Sequence, residues 1–230
     1  LSGEINNSHF NEGGKSVIEN HFIGLMNLVS CLNIEYLKSF IQVGTSDEYG
    51  DADAPQNEVQ TCIPNTNYSF AKLSANNFLQ MLNKTEHFPV VMIRLFLVYG
   101  PSQNNQRFIP QVISACLSNK TFPVSTGEQL RDFCFIDDVI NAIFLVFNSS
   151  KSFGEIINIA SGNPVTIRNV IETIQDITGG GSPEFGGISY RPRENMQLYA
   201  NIDKADTLLN WGPKVTLNEG LFRTIQWLKK

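Results

Sequence analysis

The chain has 230 residues, enough to bury the core of one large domain or two small ones. Hydrophobic residues make up 42% and charged residues 17%, with a net charge of -5. That balance excludes intrinsic disorder and disfavours a nucleic-acid partner, and the best apolar run, 139–147, is too short for a membrane span of about 18 residues or more.

Apolar residues at Val17, Ile18, Phe22, Leu25, Met26, Leu28 and Val29 predict a helix over 15–33. Phe40-Ile41-Gln42-Val43-Gly44 predicts a buried strand running into a loop, and the polar, proline-containing stretch 51–67 a long loop. A second helix is predicted over 68–85 and a strand over 89–95. Helix, strand, helix, strand with near-continuous apolar strands is the pattern of a parallel sheet covered on both faces. Further helices are predicted over 108–118, up to 147, 166–177, 203–210 and 217–228, and strands over 131–135 and 155–159. Asp137 and Asp138 fall in the first turn of the helix ending near 147, where they read as caps. Gly179-Gly180-Gly181 follows a helix rather than opening one, so it reads as a helix stop and not a phosphate loop. Cys31, Cys62, Cys116 and Cys134 lie far apart, and His9, His21 and His87 form no ligand-spaced cluster. Reduced thiols in a cytoplasmic protein, and no metal, are the expectation.

Tyr68-Ser69-Phe70-Ala71-Lys72 places a phenol and an ammonium four apart on one helix face. A cation within ~4–6 Å favours the phenolate, which suits such a tyrosine to proton transfer near neutral pH. Upstream, a buried strand ends in Gly44-Thr45-Ser46-Asp47-Glu48-Tyr49-Gly50, and the carboxyl end of a parallel strand is where doubly wound folds bind ligands. Downstream, Arg94-Leu95-Phe96-Leu97-Val98-Tyr99-Gly100-Pro101 ends the next strand in a tight turn.

This ordered combination resembles the extended short-chain dehydrogenase/reductase family of NAD-dependent nucleotide-sugar epimerases and dehydratases, from about residue 18 to the C-terminus. The resemblance implies an α/β fold with a doubly wound parallel, Rossmann-type sheet, incomplete at the N-terminus, and a smaller C-terminal α/β substrate-binding region. Residues 1–100 and 132–160 would be the remainder of the dinucleotide-binding domain, and 101–131 and 161–230 the nucleotide-sugar region. Tyr68 would be the general acid/base, Lys72 the lysine that holds the nicotinamide ribose, and Thr45 the hydroxyl bonded to the sugar oxygen being oxidised. Asn20, in Asn20-His21-Phe22-Ile23-Gly24, would be the asparagine of the cofactor-side helix, with Leu25 replacing the usual threonine. Gly127 to Phe133, followed by Ile136-Asp137-Asp138, is similar to the family's diphosphate-binding segment and gives Arg131 that role. Arg191-Pro192-Arg193-Glu194 resembles a second phosphate-binding element, with Arg191 on phosphate, Glu194 on ribose, and Arg193 in place of the usual glycine.

The family's glycine-rich G-x-x-G-x-x-G cradle does not occur in the chain, which begins with Leu1. The resemblance therefore implies that the first βαβ units, on the order of 70–90 residues, lie upstream. The implied reaction is transient oxidation at sugar C4 using NAD, with NADP as the alternative cofactor, by a cytoplasmic homodimer acting on a nucleotide-diphosphate sugar. A 4-epimerase is the leading expectation. A 4,6-dehydratase needs carboxylates after Thr45: aligned on Tyr49-Gly50, Ser46 and Asp47 take those places, while a one-residue slide substitutes Asp47 and Glu48 and leaves the loop short. A non-catalytic nucleotide-sugar-binding or scaffold protein is the third alternative.

Overall fold

Apolar periodicity and capping set most of the elements. The computed structural model describes residues 9–191 and 194–229. In chain order it forms α1 (Gly14–Ile18), a π-helical turn (Glu19–Ile23), α2 (Gly24–Ser30), β1 (Phe40–Thr45), α3 (Asn67–Glu86), β2 (Val90–Leu95), β3 (Leu97–Tyr99), α4 (Phe108–Leu117) and β4 (Thr121–Val124). It continues through β5 (Leu130–Arg131), β6 (Phe133–Phe135), α5 (Ile136–Phe147), β7 (Ile156–Ile159), β8 (Val165–Thr166), α6 (Ile167–Thr178), β9 (Ser182–Phe185), β10 (Gln197–Leu198), α7 (Asp203–Leu209) and α8 (Leu217–Leu228). Side-chain oxygens of Thr66, Thr166 and Thr216 accept the N–H groups of Ser69, Asn169 and Glu219, which fixes where α3, α6 and α8 begin. Gly179 takes a left-handed φ of 74° and ends α6, the helix-stop role its sequence position indicates.

The chain divides into two units, one of residues 9–96, Asn141–Ile159 and Asn201–Trp211, the other of Leu97–Ile140, 160–191 with 194–200, and 212–229. These boundaries differ from the sequence division at 97–100, 132–140 and 160, which join the second unit, and at 201–211, which joins the first.

The first unit is built on a parallel sheet of order β1-β2-β7. β2 and β7 are almost wholly buried, whereas β1, at the sheet edge, is mostly half-buried. Leu79, Leu82, Phe88, Val90 and Met92 form its apolar core, with Phe22 and Val29 of the N-terminal helical stretch packed against it. In the second unit a core of Tyr99, Ile109, Ile113, Phe133, Phe135, Ile171 and Leu221 fills the space among α4, α6, α8 and the short ladders β3–β6, β4–β9 and β10–β5–β8.

Two of the predicted elements take a different form in the structure. The helix predicted over 15–33 is interrupted by the π-turn, which adds a residue to one turn and changes which side chains face α3. The strand predicted over 131–135 is two strands in different sheets, broken at Asp132. The wholly buried Asp132 carboxylate accepts the Ser161 N–H and hydroxyl, both at 2.6 Å, the Gly162 N–H at 3.0 Å and the Ala200 N–H at 3.2 Å. Burial raises its pKa above the ordinary carboxyl range while these bonds pull the other way. Asp132→Asn would turn an amide donor toward backbone donors, and each buried group left unpaired costs about 1–3 kcal/mol. Urea unfolding should therefore register a loss of about 2–4 kcal/mol, and an unchanged midpoint would show that the carboxylate is dispensable.

Asp138 lies in the first turn of α5, as its sequence position indicates, and has a second role. It is 5% exposed and accepts the N–H groups of Lys214 at 3.1 Å and Val215 at 3.0 Å, so it anchors the approach to α8. All four cysteines are free thiols.

Candidate active site

The end of β1 is organised by its own sequence. Thr45 Oγ1 accepts the Asp47 N–H at 3.3 Å, and Glu48 Oε1 accepts the Thr45 N–H at 3.0 Å, a reciprocal capping box that starts a single 3-10 turn over Ser46–Tyr49. That turn buries Glu48 completely and leaves Asp47 exposed. Glu48 Oε2 accepts from Asn76 Nδ2 at 2.7 Å and from Arg94 Nε at 2.8 Å. Gly44 is required here: a Cβ on it would stand 2.5 Å from Glu48 Oε1 and 3.0 Å from Asn76 Nδ2.

Arg94 in turn lies over the Tyr49 ring, its Cζ 4.5 Å from the centroid. The Tyr49 hydroxyl donates to Asn158 Oδ1 at 2.8 Å, and burial pushes the phenol up to about 12. Burial works against the Arg94 charge, but the Glu48 carboxylate and Tyr49 keep its pKa above the usual guanidinium value. The strand end is thus held by a buried, hydrogen-bonded charge network.

Tyr68 and Lys72 project from the first turns of α3. Lys72 Nζ donates to the Val43 carbonyl at 2.9 Å, two residues before Thr45, and stands 5.9 Å from the Tyr68 ring centroid. Burial lowers the Lys72 pKa, with the Glu48 carboxylate opposing. The Tyr68 residue is 8% exposed, and its ring meets the His21 ring edge-on at 5.1 Å. A half-buried ammonium at the carboxyl end of a parallel strand, one turn from a phenol, is a donor set that fits the hydroxyls of a ribose.

Of the residues singled out in the sequence, the structure brings Lys72 to Tyr68 and to the strand that delivers Thr45. Asn20 is exposed, its amide 3.5 Å from Ser16 Oγ, and the π-turn residue against Tyr68 is His21. Asp47 is exposed, and the carboxylate of the buried network is that of its neighbour Glu48. Signals for that network were present. An arginine inside the apolar run 90–95 demands a buried partner, and Asn76 lies two turns along α3 from Tyr68.

In the second unit Arg131 and Glu194 form an ion pair. The Glu194 N–H donates to the Arg191 carbonyl at 3.1 Å, while the Arg191 residue is exposed. Arg193, whose replacement of glycine was noted in the sequence, lies outside the described residues. Among the described residues no group of three His, Cys, Asp or Glu side chains could hold a metal ion, and no helix is long and apolar enough to cross a membrane.

The NAD dependent epimerase/dehydratase family matches residues 3–160. The chain is 29% identical over 222 residues to a UDP-glucuronate 4-epimerase of Thermodesulfobacterium geofontis, covering 93% of the chain and 66% of that protein. It is 31% identical over 212 residues to a dTDP-D-glucose 4,6-dehydratase of Bos taurus, covering 88% of the chain and 59% of the relative. Among solved structures, UDP-glucuronic acid 4-epimerase from Bacillus cereus in complex with UDP-glucuronic acid and NAD is similar, with 30% identity, a TM-score of 0.84, and coverage of 93% of this chain and 68% of that one. The chain spans about two thirds or less of the length of the curated relatives it matches.

Proposed function

The chain belongs to the NAD dependent epimerase/dehydratase family, and from that premise we propose that it carries the catalytic groups of a nucleotide-sugar 4-epimerase. The observation that carries the reading is the Tyr68–Lys72 pair fastened to the end of β1, the strand that delivers Thr45. Tyr68 takes the proton from the sugar C4 hydroxyl and later returns it. Thr45 Oγ1 already accepts the Asp47 N–H, which leaves its O–H proton to donate to the same sugar oxygen. One of the three Lys72 donors is used by Val43, and the others serve the ribose and the phenol. NAD, when bound, supplies the hydride acceptor at C4. Arg131 and Arg191 serve the diphosphate, whose charge a guanidinium matches, and Glu194 serves the nucleoside ribose.

Epimerisation is favoured over dehydration by the fate of the two carboxylates after Thr45. Glu48 has both oxygens committed to Thr45, Asn76 and Arg94, and Asp47 is exposed. Dehydration remains the second reading on the strength of the 31% identity to the Bos taurus dehydratase. Proton NMR of products from the natively expressed protein, given NAD and either UDP-glucuronic acid or dTDP-glucose, separates the two. An inverted C4 hydroxyl is expected; a C6 methyl signal beside a 4-keto group would replace the epimerase with a dehydratase.

The reading includes a cytoplasmic homodimer. Ile23, Met26 and Leu28 of the N-terminal helical stretch and Phe70 and Met81 of α3 are exposed by 37–52%, an apolar surface suited to helix-on-helix pairing between copies. Sedimentation at micromolar concentration should give a dimer, and a monomer would remove this part of the reading.

A further inference from the structure

Tyr68 can serve as an acid/base only while its hydroxyl points at the sugar oxygen, and the source of that direction can be traced outward from the backbone. The first turn of α3 is fixed by the capping box at Thr66: Thr66 Oγ1 accepts the Ser69 N–H at 3.0 Å, and Ser69 Oγ accepts the Thr66 N–H at 3.1 Å. An aromatic side chain on a helix still has two χ1 wells and a broad χ2, so the cap alone leaves the ring a choice of orientations. The groups that touch the ring make that choice.

Two ring neighbours differ in kind. Lys72 lies one turn along the same helix, its ammonium 5.9 Å from the Tyr68 centroid and held by the Val43 carbonyl at 2.9 Å. A cation near the limit of its attraction to a ring constrains the ring only weakly. His21 arrives from a different element. Its ring centroid is 5.1 Å from that of Tyr68 with the planes 78° apart, the edge-to-face geometry that aromatic pairs favour. That contact is directional, since rotation of the phenol ring about χ2 destroys the near-perpendicular arrangement.

The position of His21 depends in turn on the π-turn Glu19–Ile23, which the Gly24 N–H closes on the Glu19 carbonyl. Successive residues of a regular helix are about 100° apart, so one added residue turns a different side chain toward α3. Such turns within helices recur at functional sites, and this one sets an imidazole against the residue read as the acid/base.

We propose that His21 is a positioning residue for the reaction: its ring holds the Tyr68 ring in the orientation that brings the phenol to the sugar C4 oxygen. That role rests on the reading of Tyr68 as the acid/base.

Steady-state kinetics of the natively expressed protein, with NAD and either UDP-glucuronic acid or dTDP-glucose, test it. His21→Ala should lower kcat about tenfold and leave the KM for the sugar within about twofold, the scale of one aromatic pair acting through the phenol. His21→Phe keeps a ring at the contact and should restore kcat to within about twofold of the parent. In the Tyr68→Phe background, His21→Ala should change the residual turnover by less than about twofold, because a positioning residue has nothing left to position. Unchanged kcat in His21→Ala overturns the proposal, as does a His21→Phe variant as slow as His21→Ala, or an undiminished loss in the Tyr68→Phe background. Turnover that survives Tyr68→Phe removes the acid/base reading and this role with it, as does a parent that turns over neither sugar. An inactive Tyr68→Phe beside a fully active His21→Ala removes only the positioning role. Aromatic carbon–proton NMR of the 230-residue chain gives a readout without turnover. The Tyr68 ring resonances, identified by their loss in Tyr68→Phe, should move in His21→Ala, and resonances that stay in place overturn the proposal. Circular-dichroism melts confirm that each variant compared is folded.

Discussion

Tyr68→Phe is expected to lower turnover by about 10²–10⁴-fold, the usual contribution of a positioned proton-transfer group, while leaving the KM for the nucleotide sugar near its parent value. The substitution removes one oxygen and keeps the ring. The packing that orders the ring, the edge-on contact with His21 at 5.1 Å and burial to 8% exposure, is therefore retained. Lys72 keeps its bond to Val43, which does not involve the phenol. The loss should thus fall on kcat with a melting temperature close to that of the parent, a split that separates a chemical role from a structural one. Measuring product formation in the natively expressed protein with NAD provides the check, and unchanged turnover would remove Tyr68 from the mechanism. Lys72→Met should also slow the reaction, but with a rise in KM for NAD, because the ammonium is read as a ribose ligand as well as a neighbour of the phenol.

The parts of this site that were legible in the sequence are those set by local periodicity. Tyr68 and Lys72 share a helix face because α3 is capped at Thr66 and runs unbroken to Glu86. β2 and β7 are buried, apolar and continuous, so 89–95 and 155–159 are close to the observed strands. What was hidden depends on contacts between distant residues. Whether Asp47 or Glu48 is buried turns on one residue of register, and that register is fixed by the Thr45–Glu48 capping box and by Arg94 from the neighbouring strand. The break at Asp132 is set by Ser161, Gly162 and Ala200, 29 to 68 residues away. β4 and β9 were missed because Thr-Phe-Pro-Val and Ser-Pro-Glu-Phe are short, contain proline, and pair only with each other. The π-turn leaves no mark in an apolar helical rhythm, so the contact of His21 with Tyr68 was hidden in the sequence.

Breaking the Glu48–Arg94 pair should be the most damaging change to stability in the first unit. The side chains are 0% and 2% exposed, so solvent cannot answer whichever charge is left behind. Removing one partner of such a pair costs about 3–5 kcal/mol, whereas replacing both with apolar groups of similar volume is often far milder. Glu48→Leu strands the Arg94 guanidinium and also frees the Thr45 and Asn76 donors that the carboxylate now accepts. Arg94→Leu strands only the carboxylate, which keeps those two donors. Glu48→Leu should therefore be the worse single substitution, and the double variant should be more stable than the sum of the singles by about 2 kcal/mol or more. Urea unfolding of the four proteins closes the cycle, and additive losses would mean that the two groups do not interact. The double variant carries a second consequence. Without Glu48 the Thr45 N–H loses its acceptor and the 3-10 turn loses half of its capping box, so a protein with recovered stability should still have a displaced Thr45 hydroxyl. Recovery of folding without recovery of turnover is the expected signature of a charge pair that shapes the end of β1, and full recovery of both would assign the pair to stability alone.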